Sequence, residues 1–254
     1  MRLLGKKPAV VDHRVKRYTA RLTSKLPAAP DNVVWYAKMP DTGLPMLLND
    51  QLGCCVAATC CHFVGQSSLY AAERTPLVPT DPECLAIYVN SGYVPGNPST
   101  DQGWSVLGPG GLIEAWTKGF VIGGKINKVG PVASVDFKNS EELRVAIALY
   151  GFVLTGAALT QADVESDFMF NDVTGKIIGY HEFLIAGCEK VAGHYYYDVL
   201  TWNGRWRATE AWVQARADEA AVVYDEVFFN ARGVSAGAVN KSALYADLAN
   251  FHAA

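Results

Sequence analysis

The apolar pattern of this 254-residue chain changes period half-way along, and that change restricts the fold more than any other feature. In the first half, apolar residues recur at helical spacing; in the second they gather into short β-branched and aromatic runs. CCVAATCCHFVGQSSLYAAERT predicts a helix from about 54 to 73, with Val56, Cys60, Phe63, Val64 and Leu69 on its apolar face. DPECLAIYVNSGY predicts a second helix, with Asp81 as N-cap, Pro82 in the first turn and Gly92 at the stop. LIEAWTKG predicts a short helix ending at Gly119, and NSEELRVAIALYG one capped by Asn139 or Ser140. FVLTGAALT, EFLIAGCEKV, YYYDVLTW and EAAVVYD read as strands. Helices first and strands later is an α+β order, not a regular βαβ alternation.

The ends differ from the middle. Residues 1–29 form a basic arm, in which Arg2, Lys6, Lys7, Arg14, Lys16, Arg17, Arg21 and Lys25 face a single acid, Asp12. A charge run of this kind reads first as a solvated segment. One domain follows over 30–227, with a helical half to about 130 and a β half from 131. A tail over 228–254 carries a short helix, Lys241 to Phe251. The arm and the tail are the segments available for contact with other chains of an assembly.

A net charge of −3 gives no global reason to expect nucleic acid, and nothing downstream of the arm is basic or shows an aromatic stacking module. No apolar run approaches the roughly 20 residues that span a bilayer, so no membrane partner is expected. MRLLGKKPAVVDHRVKR lacks the apolar run and cleavage site of a signal peptide, which points to a chain that is cytoplasmic on synthesis.

Four of the six cysteines crowd into CCVAATCC. A disulfide framework is spread along a chain, and neighbours on one helix rarely reach disulfide geometry. The cysteines therefore read as reduced, buried thiols. A zinc site using His62 lacks a second paired cluster at ligand spacing, so neither metal nor cofactor is expected.

A reactive cysteine needs thiolate character, which a helix N-terminus favours. Cys54 and Cys55 follow Gly53 at the start of the first predicted helix. The base must come from elsewhere. His13 lies in the arm, His252 in the tail, and His62 two turns along the same helix; His194 falls at a hairpin turn. His181, opening a strand in GYHEFLIAGCEK, is left as the best placed. Alone it reads as structural; the helix-start cysteine makes it a candidate base.

VVWYAKMPDTGLPMLLNDQLGCCVAA resembles the start of mature papain-like cysteine peptidases, V-D-W-R…N-Q-G-x-C-G-S-C-W-A. GYHEFLIAGCEK followed by YYYDVLTWNG is similar to that family's G-x-H-A-V-x-I-V-G-Y and N-S-W-G, and NSEELRVAIALYGFVLTGAAL looks like the helix and strand between. The resemblance covers about residues 30–226 in order. It is closer still to papain-like proteins of phages and bacteria, through NDQLGCC and GYVPGNP. The resemblance implies a helical half, with the cysteine-bearing helix packed on an antiparallel β half that carries the histidine. It implies Cys55 as nucleophile, His181 as base, and Asn49 (or Gln51, if the loop is shortened) as oxyanion donor beside the Cys55 backbone N–H. Gln102, Gly103 and Trp104 would line the cleft.

The chain departs from the family pattern at several points. Leu200 stands where the family keeps the Asn that orients the histidine, leaving Thr201 and Asn203 as the nearby polar candidates. Val56 follows the nucleophile, Glu182 follows the histidine, and Leu52 replaces a disulfide cysteine. The arm is too short to resemble the family's inhibitory propeptide. Two expectations result: a thiol hydrolase acting on peptide or amide bonds through a Cys–His dyad, in the setting of a phage particle, or an inactive papain-fold structural protein of a virion or other assembly.

Overall fold

A computed structural model of the chain describes all residues except 1, 11, 23–24, 40–42, 71–74, 226–239 and 253–254. The last residues predicted for the first helix, and most of the tail before its helix, lie outside the described residues. The helices are α1 (Cys55–Ser68), α2 (Asp81–Tyr88), α3 (Leu112–Trp116), α4 (Ser140–Tyr150), α5 (Gln161–Glu165), α6 (Glu210–Arg216) and α7 (Lys241–His252). The principal strands are β1 (Val33–Val34), β2 (Phe120–Ile122), β3 (Lys125–Asn127), β4 (Val132–Ser134), β5 (Val153–Thr160), β6 (Met169–Phe170), β7 (Ile177–Val191), β8 (His194–Thr201), β9 (Gly204–Thr209) and β10 (Ala217–Val223). The α+β order expected from the changing period is present.

One sheet runs β4-β10-β5-β7-β8-β9-β6, with β1 also paired to β7; the β6–β9 pair is parallel and the other pairs are antiparallel. The central strand β7 is long because it changes partner. Its first part pairs with β5 and its second with β8 through a tight turn at Ala192 and Gly193, both at positive φ. The two ladders overlap only at Leu184 and Ile185, so the early part of β7, which carries His181, has no ladder partner on β8.

Helix α1 is buried on every side rather than along one face, with all fourteen residues enclosed. It packs on β7 and α2, and Thr59 Oγ1 donates to the Glu182 carbonyl at 2.9 Å, fixing its height on the strand. A helix enclosed on all sides has no solvated face: small thiols and alanines fill its first turns, and its buried Thr59, His62 and Ser68 each meet a carbonyl. The six cysteines are free and buried. No side chain caps α1, so its first-turn N–H groups remain available. In α2 the cap is Thr80, not Asp81: Thr80 and Glu83 form a capping box, and Gly92 at φ 95° ends the following turn. Asn139 caps α4 by accepting from the Glu142 N–H.

The basic arm is only partly solvated: Lys7, Lys16, Arg17 and Lys25 are exposed, but the segment is not free. It runs along its own domain, and its cations meet acids there: Lys6 meets Asp218 and Glu219, Arg14 meets Glu114, and Arg17 meets Asp136 and Glu142. Tyr18 is fully buried, with its hydroxyl donating to the Glu142 carbonyl.

Candidate active site

Cys54 and Cys55 face opposite ways. The Cys54 thiol donates to the Leu47 carbonyl at 3.3 Å, beside Cys84, and that thiol contact, together with burial, raises its pKa. Cys55 faces β7 and the arm. Burial pushes its thiol up to about 12, while the backbone N–H groups of Glu182 and Gly5 pull the other way. The loop before the helix is held by Asp101, whose two carboxylate oxygens accept from the Gly53 N–H at 3.1 Å, and Tyr88 donates to the same carboxylate at 2.6 Å. Tyr88 in turn accepts from the Gly103 N–H at 3.1 Å. One acid and one phenol therefore tie the loop before Cys55 to the segment at Gly103. Nothing in the local sequence around Asp101 marked it for that role.

His181 is fully buried, its imidazole stacked on Trp202 with centroids 4.3 Å apart and planes 19° apart. Its Nε2 lies 2.6 Å from Thr201 Oγ1. Of the two polar candidates, Thr201 is thus the one brought to the histidine; Asn203 is exposed in the β8–β9 turn. Leu200 is buried in the β8 ladder opposite Leu184. Burial lowers the His181 pKa to about 3, and the charge of His62 adds a little. Buried in this way, Cys55 rests as a thiol and His181 as a neutral imidazole. His181 Nδ1 has no hydrogen-bond partner among the described residues.

Asn49 is buried in the loop that holds Leu47 and Leu48 at positive φ, a conformation costly for leucine. Its side-chain N–H reaches the Leu52 carbonyl at 3.4 Å and its own carbonyl accepts from Leu3 of the arm. Gln51 is exposed with its side chain in solvent, so Asn49 is the better placed of the two. Gly103 and Trp104 lie against the arm, where the resemblance places the cleft wall. Gln102 is exposed and turned back to the Ser99 carbonyl, so the structure removes it from that wall.

The arm lies where the papain-like resemblance places the cleft. The Leu3 N–H donates to the Asn49 carbonyl, the Trp104 N–H to the Gly5 carbonyl at 2.8 Å, the Lys6 N–H to the Tyr180 carbonyl at 3.2 Å, and the Lys7 N–H to the Trp104 carbonyl at 2.7 Å. The arm therefore crosses between the wall at Trp104 and the residue before His181. Glycine is required on both sides: a Cβ on Gly5 would lie 1.8 Å from the Gly53 carbonyl oxygen, and one on Gly103 would lie 2.2 Å from that of Gly5. Arg2 lies over Trp206 and Trp202, behind the imidazole. An arm too short to look like a propeptide nonetheless fills the site, because a few extended residues suffice to cross it. The sequence signal was there as Gly5 between two apolar residues and two lysines.

Several solved structures share this architecture. Xylellain, a cysteine protease from Xylella fastidiosa, superposes with a TM-score of 0.67 at 17% identity, over 87% of this chain and 95% of that one. The fold is papain-like. Digestive procathepsin L 3 of Tenebrio molitor larval midgut matches at 0.58 and 17% identity, over 84% of this chain and 76% of that one. Bromelain from Ananas comosus, in complex with the E64 inhibitor, matches at 0.51 and 15% identity, over 78% of this chain and all of that one. No family model matches the chain and no curated protein matches its sequence. No helix among the described residues is long and apolar enough to cross a membrane.

Proposed function

We propose that this papain-like chain is a cysteine peptidase that hydrolyses peptide or amide bonds with Cys55 and His181, and that its own arm keeps it latent. The observation that carries this reading is the arm itself. The groove over Cys55 holds an extended peptide by main-chain hydrogen bonds from both walls, the way a peptidase holds a substrate backbone. The arm is held in a form that resists attack. Gly5 turns its N–H toward the thiol, and its carbonyl is taken by Trp104 instead of facing the sulfur.

Once the arm leaves, water reaches the site and the burial that favours neutral forms is relieved. His181 Nδ1 accepts the Cys55 proton and the thiolate attacks the substrate carbonyl carbon. The developing oxyanion meets the Cys55 backbone N–H at the uncapped helix start, and an Asn49 side-chain N–H. Collapse expels the amine, which takes the proton from His181, and water then hydrolyses the thioester with His181 as base. Thr201 accepts from Nε2–H throughout, leaving Nδ1 free to take the proton.

The test is hydrolysis of a mixed peptide library by the full chain carrying Gly5→Val, with and without Cys55→Ser. Hydrolysis that disappears with Cys55→Ser is expected. Hydrolysis that survives it, or none in the Gly5→Val chain once the arm is shown to be displaced, refutes the reading.

A further inference from the structure

Three neighbouring strands build a slot beside the cleft. In register, Glu182 on β7 stands next to Gly156 on β5, which stands next to Glu219 on β10. The middle position has no side chain, so the row is a gap with an acid on each side. Asp218 adds a third carboxylate at the mouth. The Lys6 side chain fills this gap with no solvent exposure, its Nζ 2.8 Å from Glu219 and 3.0 Å from Asp218. A Cβ on Gly156 would lie 1.9 Å from Lys6 Cε, so the glycine is what makes room.

The slot belongs to the cleft and not to the arm's general packing. Glu182 directly follows His181, and its backbone N–H reaches toward the Cys55 thiol. Lys6 directly follows Gly5, the residue over that thiol. The Glu182 carboxyl is 1% exposed, and neither oxygen has a hydrogen-bond partner among the described residues, although it is held close to the Lys6 charge. An acid left in this state is costly unless a cation or donor is delivered to it. Burial and the charge of Glu219 accordingly hold its pKa well above the usual carboxylate range. Burial pulls the Lys6 ammonium down, but Glu219, Glu182 and Asp218 together outweigh it and raise its pKa.

We propose that the Glu182–Gly156–Glu219 slot, with Asp218, selects lysine in the substrate, at the position next to the residue that presents its carbonyl to Cys55, and that Lys6 is the built-in occupant. This rests on the peptidase reading for its catalytic meaning, but the slot can be tested without turnover.

The probe is a fluorescein-labelled peptide of residues 3–9, LLGKKPA, compared with the same peptide carrying norleucine at the Lys6 position. Norleucine keeps the aliphatic stem and removes the ammonium. The receptor is the full chain with Gly5→Val, to displace the arm, and Cys55→Ala, to prevent cleavage. Fluorescence anisotropy is expected to show the lysine peptide binding at least tenfold more tightly. Adding Glu219→Gln is expected to shrink that ratio below threefold. Equal binding, tighter binding of the norleucine peptide, or no binding of either overturns the slot. Should Gly5→Val not fold, Lys6→Glu, which sets a carboxylate among carboxylates, displaces the arm for the same measurement. Catalysis is judged separately, with Cys55 restored, by hydrolysis of a mixed peptide library whose cleavage sites are read for lysine, because the arm sequence itself binds in a form that resists attack. Lysine-selective binding without hydrolysis leaves the slot standing and removes the peptidase reading. Hydrolysis without a preference for lysine does the reverse.

Discussion

Thr201 Oγ1 sits 2.6 Å from His181 Nε2, a contact that the neighbouring Leu200 could not make. A hydroxyl differs from an amide carbonyl here, because it can donate as well as accept and so enforces the imidazole tautomer less strictly. Stacking on Trp202 supplies the rest of the orientation. Thr201→Val in the arm-displaced chain should lower kcat/KM on the order of 100-fold, the low end of what a positioned base contributes. Thr201→Ser should retain most of the rate. A Val variant as active as the Ser variant would remove Thr201 from the mechanism.

The contact between Gly5 and Gly53 gives a direct test of latency. The chains approach so closely that a Cβ at Gly5 would collide with the Gly53 carbonyl, which is backbone and cannot step aside. Gly5→Val should therefore expel the arm and speed iodoacetamide labelling of Cys55 by at least tenfold at neutral pH, with peptide mapping to separate Cys55 from the other thiols. Unchanged labelling would show that the arm does not control access to the thiol.

Most of the scaffold was legible because its signals are local. The period change, the Asn139 cap and the turn at Gly193 each act within a few residues, as do the helix start that carries Cys55 and the strand that carries His181. What was not legible is what the fold joins at long range. Thr201 reaches the histidine because β8 parts from β7 near Leu184, a matter of register. In the sequence Glu182 is only a departure from the family pattern; β5 and β10 place Gly156 and Glu219 beside it. The arm read as solvated because the acids that hold it, Glu114, Glu142, Asp218 and Glu219, are far away in the chain. Thr80 displaced Asp81 as the α2 cap because Glu83 completes a box with it.

Asp101 and Tyr88 hold the loop before Cys55, and their loss should be felt in stability as well as around that thiol. Asp101→Ala removes a charged acceptor from the Gly53 N–H and leaves the Tyr88 hydroxyl without its carboxylate partner. The cost should be about 1.5–3 kcal/mol, as for hydrogen bonds to charged groups. Tyr88→Phe should cost less, since Asp101 keeps Gly53. Denaturant melts of the two variants check the order, and an Asp101→Ala chain as stable as the parent would mean the clamp contributes nothing.

His62 gives the clearest pH dependence. Burial lowers its pKa from 6.5 to about 4, and its Nε2 lies 2.9 Å from the Pro45 carbonyl. Between those two values the unfolded chain binds a proton that the folded chain refuses. Stability must then rise with pH across the window and fall as pH drops through it. His181 obeys the same sign, with a folded value of about 3, whereas the raised pKa values of Glu182 and Glu219 work in the opposite sense above the ordinary carboxylate range. A difference measurement isolates His62, because His62→Gln can still donate to Pro45 but cannot titrate. The parent should lose stability relative to His62→Gln as pH falls from 7 to 4, by on the order of 3 kcal/mol at the acid end. Urea melts of both proteins at pH 7, 6, 5 and 4 measure it, and a gap that stays constant with pH would show that His62 is not held neutral by burial.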